Sequence, residues 1–440
     1  MSWTLTQQPV SANNAIIPAY NNIVFKAVSN LWASGYTYTL TLYVYNGAVL
    51  EDTIILTKDA LTDGSVFFEV ERILENYVDY DWSNTVEDFS LNPNCFKVIG
   101  WNLELTNTSG TLVEDIGAVL AHDSESDPDE GWSINTYGDG ATAYLFTIHN
   151  AVVNKRDWLS YSPAAHTATS VNASTNKFQK ELSDLVIDYD QHDALYLHSD
   201  LSTDITETLR ITTYNSAGTQ LKQATMDNPN PVTTSDYYYA NERFIKVPSG
   251  TQNLNLINNI LLTGDTQPLI SASTASYKIE VLDGTSTVRA LANYTITENC
   301  SKYPNFRLHW LNRLGGFDAF NFSLLSRTLI DIERTTQKQS LNRMISGSWT
   351  YAANSRTVNQ LSANHKYKYV INSNWITESE SETLLSLFTS PVIYLERDYN
   401  DFIAVNLNEN NYEIKTKVVD DLIQLSVTII DNFEEVVQRG

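Results

Sequence analysis

Cysteine is nearly missing from this chain: Cys95 and Cys300 are the only two in 440 residues, and neither sits in a C-x-x-C pair or a Cys/His cluster with zinc spacing. That excludes a disulfide-stapled scaffold and a zinc finger, and the two thiols are expected to be small buried hydrophobes. Basic residues are also scarce, with 28 Lys and Arg against 52 Asp and Glu and a formal net charge of -24. The deficit is concentrated in residues 1–150, where 20 acids meet 4 bases. A field of that sign repels phosphates, which excludes a DNA or RNA binder. No run of 18 apolar residues occurs, so no membrane insertion is expected. The start, MSWTLTQQPVSANN, lacks the basic and apolar regions of a secretory signal, which gives the expectation of a chain made in the cytoplasm without export. Catalytic patterns are missing too. The seven histidines never form H-E-x-x-H, and no G-x-S-x-G, Walker A or dinucleotide glycine pattern appears. The expectation is a protein that is not an enzyme and carries no cofactor, no metal and no catalytic residues.

What is abundant is Tyr (25) and Trp (9), with 42% hydrophobic and 18% charged residues, a balance that supports real cores. Such a composition is more typical of adhesins, sugar binders and virion shells than of cytosolic enzymes. Strand-like alternation dominates. In YTYTLTLYVYNGAVLEDTIIL, Tyr36, Tyr38, Leu40, Leu42 and Val44 fall on one face, and Asn46-Gly47 supplies the residues of a type I′ hairpin turn. Similar runs recur at FKVIGWNLEL, ATAYLFTIHN, TLRITTYN, YKIEVLDG, FRLHWL and QLSVTII. The fold class expected is mainly β, a multi-domain β-sandwich-like architecture with a few short helices. In SVFFEVERILENYV, Val66, Phe67, Val70, Ile73, Leu74 and Tyr77 recur near helical spacing, and the first half reads equally as a strand running into a one- or two-turn helix. A second, over about 377–389, has a Thr377/Glu380 capping box, an apolar stripe of Leu384, Leu387 and Phe388, and Pro391 as its stop. The turn-rich stretch 121–132 and the connector 161–177 suggest domains at 1–155 (acidic, β), 156–300 (central, β) and 301–440 (β, with the capped helix).

Two clusters resemble cation sites. Asp123, Glu125, Asp127, Asp129 and Glu130 alternate like calcium ligands, but Pro128 stands where an EF-hand loop needs glycine, and a plain acidic loop is the simpler expectation. In DYDQHDALYLH, a strand would put Asp188, Asp190 and His192 on one face beside Asp193 and His198; a solvated acidic run is preferred there. Paired carboxylates for glycoside hydrolysis leave no trace in sequence spacing. The densest stretch is FRLHWLNRLGGFDAFNFSL, residues 306–324. Phe306, Leu308 and Trp310 alternate with Arg307 and His309, Leu314, Gly315 and Gly316 permit a reversal, and Phe320, Phe322 and Leu324 alternate on the return. This describes a structural hairpin with an aromatic core face, carrying Asn312 and Arg313 at its tip, where a planar guanidinium could make bidentate contacts with a carboxylate or sit on an aromatic ring. Trp310, Asn312, Arg313, Gly315, Gly316, Phe317 and Phe320 are therefore the candidate structural and subunit-contact residues. The surrounding 300–345 holds seven bases against three acids, a contrast with the acidic first third that could draw copies together.

HWLNRLGGFDAFNF resembles a W-L-N-x-x-G-G-x-D-x-x-x-F segment of virion structural proteins of tailed bacteriophages, particularly those infecting Bacteroidetes and marine bacteria. PVSANNAIIPAYNNIVFKAV with GSVFFEVERILENYV looks like the N-terminal region of the same proteins, and the end from WITESESETLLSLFTSPVIYLERDYNDF onward is similar to their tail-tip pattern. The resemblance covers both ends and the hairpin and leaves 156–300 largely unmatched. It implies a tail-tip or baseplate component forming a homo-oligomeric ring, located in the virion after synthesis in the bacterial host cytoplasm and release by lysis. Its partners would be further copies of itself and neighbouring tail proteins. It supplies no catalytic residues. A receptor- or carbohydrate-binding virion protein that touches a host surface glycan is the alternative, since exposed aromatic rings stack on sugars; a polysaccharide depolymerase is the third.

Overall fold

The computed structural model describes residues 16–18, 24–46, 49–80, 82, 88–91, 96–115, 120–121, 143–148, 180, 182, 185–198, 207–229, 244–282, 288–297, 303–312, 315–339, 343–345, 347–350, 356–398, 401–408, 422–433 and 435–439. Cys95, Cys300, the acidic loop 123–130, the connector 161–177, the boundary at 155/156 and the tip residue Arg313 lie outside the described residues. The protein is mainly β, with several multi-stranded sheets and short helices, as its alternation predicts. It divides into two units: Met1–Glu298 together with Leu311–Asp318, and Asn299–Trp310 together with Ala319–Gly440.

The first unit begins with a six-stranded sheet whose central path runs Ile16–Pro18, Ala143–Ile148, Phe96–Thr106, Thr37–Asn46, Val49–Asp59. Along Thr37–Asn46 burial alternates strictly, and Tyr38, Leu40, Leu42 and Val44 face inward. They pack with Ile99, Trp101, Leu103 and Leu105 of the neighbouring strand against Phe25, Val66 and Phe68 of a three-stranded sheet, closing a sandwich. Phe25 and Trp101 meet edge to face at 5.4 Å. The buried Tyr38 hydroxyl donates to the Gly64 carbonyl at 2.8 Å and accepts from the Ser29 N–H, so its burial leaves no lost hydrogen bond. The hairpin out of this strand differs by one residue from the expected Asn46-Gly47 turn. A register shift between Val44 and Tyr45 places Asn46 opposite Val49, so Asn46 belongs to the strand, and the expected turn partner Gly47 lies outside the described residues.

A second six-stranded sheet orders Leu185–Asp188, Val288–Thr297, Ser276–Leu282, Thr208–Tyr214, Gln220–Asp227 and Thr263–Gly264. A three-stranded sheet of Ala194–His198, Phe244–Pro248 and Ser90–Leu91 accompanies it. The helix Thr251–Leu256 follows directly from Phe244–Pro248. An eight-stranded sheet carries Phe317–Phe322, Phe306–Leu311, Ile393–Asp398, Asp401–Leu407, Leu422–Asp431, Val358–Thr377 and Arg327–Lys338 in that order, with Glu435–Arg439 also paired to Val358–Thr377. The expected capped helix is present as Glu378–Thr383 and Leu385–Thr389. The Glu380 carboxylate accepts from the Thr377 N–H at 2.7 Å, and the Glu380 N–H donates to the Thr377 hydroxyl at 3.2 Å.

Three hairpins share one turn, N-x-x-G-x, at Asn107, Asn215 and Asn312. In each, the Asn carbonyl accepts from the glycine N–H three residues on (2.9, 2.9 and 3.2 Å), and the Asn N–H donates to the next residue's carbonyl (2.9, 3.0 and 2.9 Å). The Asn side-chain oxygen accepts that residue's N–H at 3.0, 2.9 and 3.1 Å. Gly110, Gly218 and Gly315 take φ of 74°, 75° and 85°, the left-handed region that a side chain disfavours.

Candidate assembly surfaces and binding cleft

The 306–324 hairpin is built into the fold. Trp310 is fully buried and its Nε1 donates to Ser386 Oγ at 2.9 Å, which ties the strand to the helix Leu385–Thr389. Asn312 is buried as the turn residue, and its Nδ2 donates to Asp318 at 3.0 Å. Gly315 and Gly316 are buried in the same turn. Phe317 packs with Trp82, Tyr80 and Tyr196 at ring distances of 4.7, 5.9 and 5.9 Å. On the return strand Phe322 is fully buried, whereas Phe320 is half-buried and meets it edge to face at 5.3 Å.

Arg307 and His309 depart from simple alternation, because the strand is buried on both faces. Arg307 stands opposite Glu396, whose Oε2 lies 2.9 Å from His309 Nε2 and 3.7 Å from Arg307 Nε. Arg307 Nη1 donates to Asn321 at 2.9 Å. The Arg307 cation is thus matched by a carboxylate and an amide inside the second unit, the condition under which buried charge is tolerated.

The run 188–198 is not the solvated acidic turn expected. Asp188, His192 and Asp193 are buried, and only Asp190, at φ 64°, turns outward. The chain leaves the strand at Asp188, so the predicted shared face of Asp188, Asp190 and His192 does not form. Asp193 accepts from Lys180 Nζ at 2.8 Å, from the Tyr294 hydroxyl at 3.0 Å and from the Ala194 N–H at 2.9 Å. Its own N–H donates to Asn253 at 2.9 Å. Asp188 is bonded by Thr297. These groups fix the loop onto the helix Thr251–Leu256, and their lone pairs are spent on the protein itself. Among the described residues no three His, Cys, Asp or Glu side chains gather as metal ligands. His198 falls in the strand Ala194–His198.

The open surfaces lie elsewhere. Arg327–Lys338 is an edge strand in which every residue is exposed, Leu329, Ile330 and Ile332 to 47%, 54% and 45%. With Val358–Thr377 it forms a long arm, about 40 Å at the rise of an extended strand. Ile330 and Ile332 stand opposite Tyr367 and His365, which belong to a ladder of rings, His365 to Tyr367 at 5.3 Å and Tyr367 to Tyr369 at 6.4 Å. Beside the ladder is a cleft of about 470 Å³ lined by Tyr367, Arg397, Phe402, Asp431, Asn432 and Phe433 among others. The unbroken strand-forming run RTLIDIERTTQK carried a signal for the arm. The cleft had none, since its walls come from three distant stretches of sequence. No protein-family model and no curated protein matches the chain.

Proposed function

We propose that this chain is a non-enzymatic structural subunit of a tailed-bacteriophage virion, placed at the tail tip or baseplate as one copy in a closed ring, beside neighbouring tail proteins. The exposed arm carries the reading. A long edge strand with three exposed aliphatic side chains is a template for pairing, and proteins that work alone blunt such edges with prolines, bulges or short strands; the one register shift of this strand, between Thr335 and Thr336, falls beyond Leu329, Ile330 and Ile332 and leaves that stretch regular. Here the edge runs for twelve residues without a proline, so the working form is one in which another chain covers it. A head-to-tail contact of this kind closes into a ring when its rotation closes. The basic character of 300–345 and the acidic first third give successive copies opposite fields. The hairpin resemblance supplies the virion context.

Two measurements test this. Mass spectrometry of gradient-purified particles should find the chain in several copies per virion; particles that contain other tail proteins but lack it overturn the reading. Sedimentation should show an oligomer that I330K/I332K reduces to monomer with unchanged circular dichroism, because both side chains are solvent-facing and contribute little to the core. An oligomer indifferent to that double substitution would move the contact away from the arm.

A further inference from the structure

The cleft on the second unit shares Tyr367 with the arm, but its chemistry is different from that of the exposed edge. Its walls are aromatic, with Tyr367 and Phe402 inside and Phe433 standing 70% exposed at the rim. A large ring held that far into solvent gains nothing for the fold. Around it are polar groups with capacity left over. Asp431 uses one oxygen to accept the Phe433 N–H at 2.9 Å, leaving the other. Asn432 accepts from Asn406 at 3.0 Å through its oxygen, which leaves its amide N–H₂ to donate. The Tyr367 hydroxyl makes no hydrogen bond among the described residues. Arg397 Nη2 pairs with Asp401 at 3.1 Å, and the guanidinium also bonds the Tyr369 side chain and keeps further donors on its fork.

We propose that this cleft binds a neutral glycan chain. A pyranose presents an apolar C–H face to an aromatic ring and pairs of vicinal hydroxyls that are donor and acceptor at once; Phe433 supplies the ring, and Asp431, Asn432 and Arg397 supply planar groups of both kinds. A volume of about 470 Å³ lies within the range of small-ligand sites. Charge decides the class of sugar. Arg397 is offset by Asp401 and Asp431, so the cleft offers no surplus cation for a uronate, sulfate or phosphate. The proposal stands whether or not the chain forms a ring.

The test uses the full chain and saturation-transfer NMR with maltohexaose, cellohexaose and chitohexaose, with hexagalacturonate as the acidic comparison. At least one neutral hexaose is expected to bind, and Phe433→Ala and Asp431→Asn are each expected to weaken it by tenfold or more. Neither change removes a core side chain, and circular dichroism verifies the fold. Ile260→Ala, at an 89% exposed position of the first unit, should leave binding unchanged. The proposal is overturned if none of the three neutral hexaoses binds at millimolar concentration. It is equally overturned if binding ignores both cleft substitutions, or if the acidic hexamer binds more tightly. Because the arm substitutions I330K/I332K are read by sedimentation and the cleft substitutions by ligand signal, failure of one reading is distinguishable from failure of the other.

Discussion

Glu396→Ala removes a carboxylate from beside a buried cation in the second unit. The Arg307 side chain is 2% exposed, and its guanidinium cannot shed its proton at any ordinary pH. Glu396 is the carboxylate directly opposite it in the sheet. The Nη1 bond from Arg307 to the Asn321 amide supplies a dipole and not a charge. Breaking a buried pair from one side costs about 3–5 kcal/mol, most of it the penalty of the orphaned ion. Glu396→Gln keeps the shape and an acceptor and should cost about 1.5–3 kcal/mol, the worth of a hydrogen bond to a charged group. Removing both ions in R307M/E396L should recover most of the loss, since an apolar pair of similar volume replaces a charge pair at little cost. Hydrogen exchange of the amides in Phe306–Leu311 reads the local opening free energy of this unit without assuming that the whole chain unfolds in one step. A Glu396→Ala protein within about 1 kcal/mol of the parent, below the range for breaking a buried pair, would show that water reaches Arg307 and that the cluster is not a buried one.

Two further outcomes follow from the first unit. A Cβ at Gly250 would lie 2.2 Å from the Asp193 backbone nitrogen and 2.6 Å from the Gln191 carbonyl oxygen, so Gly250→Ala must displace main chain. It is expected to cost more than about 4 kcal/mol, in the range reserved for severe backbone or core disruption, seen as insoluble expression or loss of the thermal transition. Glu280 is buried, which raises its pKa, but hydrogen bonds and charge from Arg210 and Lys278 outweigh the burial and hold it below the usual glutamate value. A carboxyl lowered on folding stabilises above its unfolded pKa and loses that contribution as the pH falls through the lowered value. Acid titration of stability should therefore drop below about pH 4, and Glu280→Gln should flatten that part of the curve; an unchanged acid limb would refute the assignment.

The elements legible in the sequence are those set by neighbours along the chain. The alternation of Tyr38, Leu40, Leu42 and Val44 reports one buried face directly, and the Thr377/Glu380 box closes over three residues. Asn46 was displaced by one position because the bulge that shifts the register lies in the pairing of two strands, and no residue type marks it. Arg307 and His309 suggest a wet face because polar residues normally line one. The partner that makes their burial tolerable, Glu396, is nearly ninety positions away. For the same reason the 188–198 run reads as solvated acid: Lys180, Tyr294 and Asn253, which satisfy it, come from separate parts of the chain. The helix Thr251–Leu256 spans under two turns and has no apolar stripe to announce it.

The membership of Leu311–Asp318 in the first unit has a consequence for the order of events at the ribosome. Phe317 is the ring against which Tyr80, Trp82 and Tyr196 are set, yet it is made only after the remainder of that unit is complete at Glu298. Domains ordinarily fold in the order in which they emerge. Here the earlier one cannot complete this packing at its own end: the ring contacts of Phe317 form only once the polypeptide has passed residue 318, by which time the strand Phe306–Leu311 has already been synthesised. Folding of the leading unit is thereby timed by translation of the trailing one.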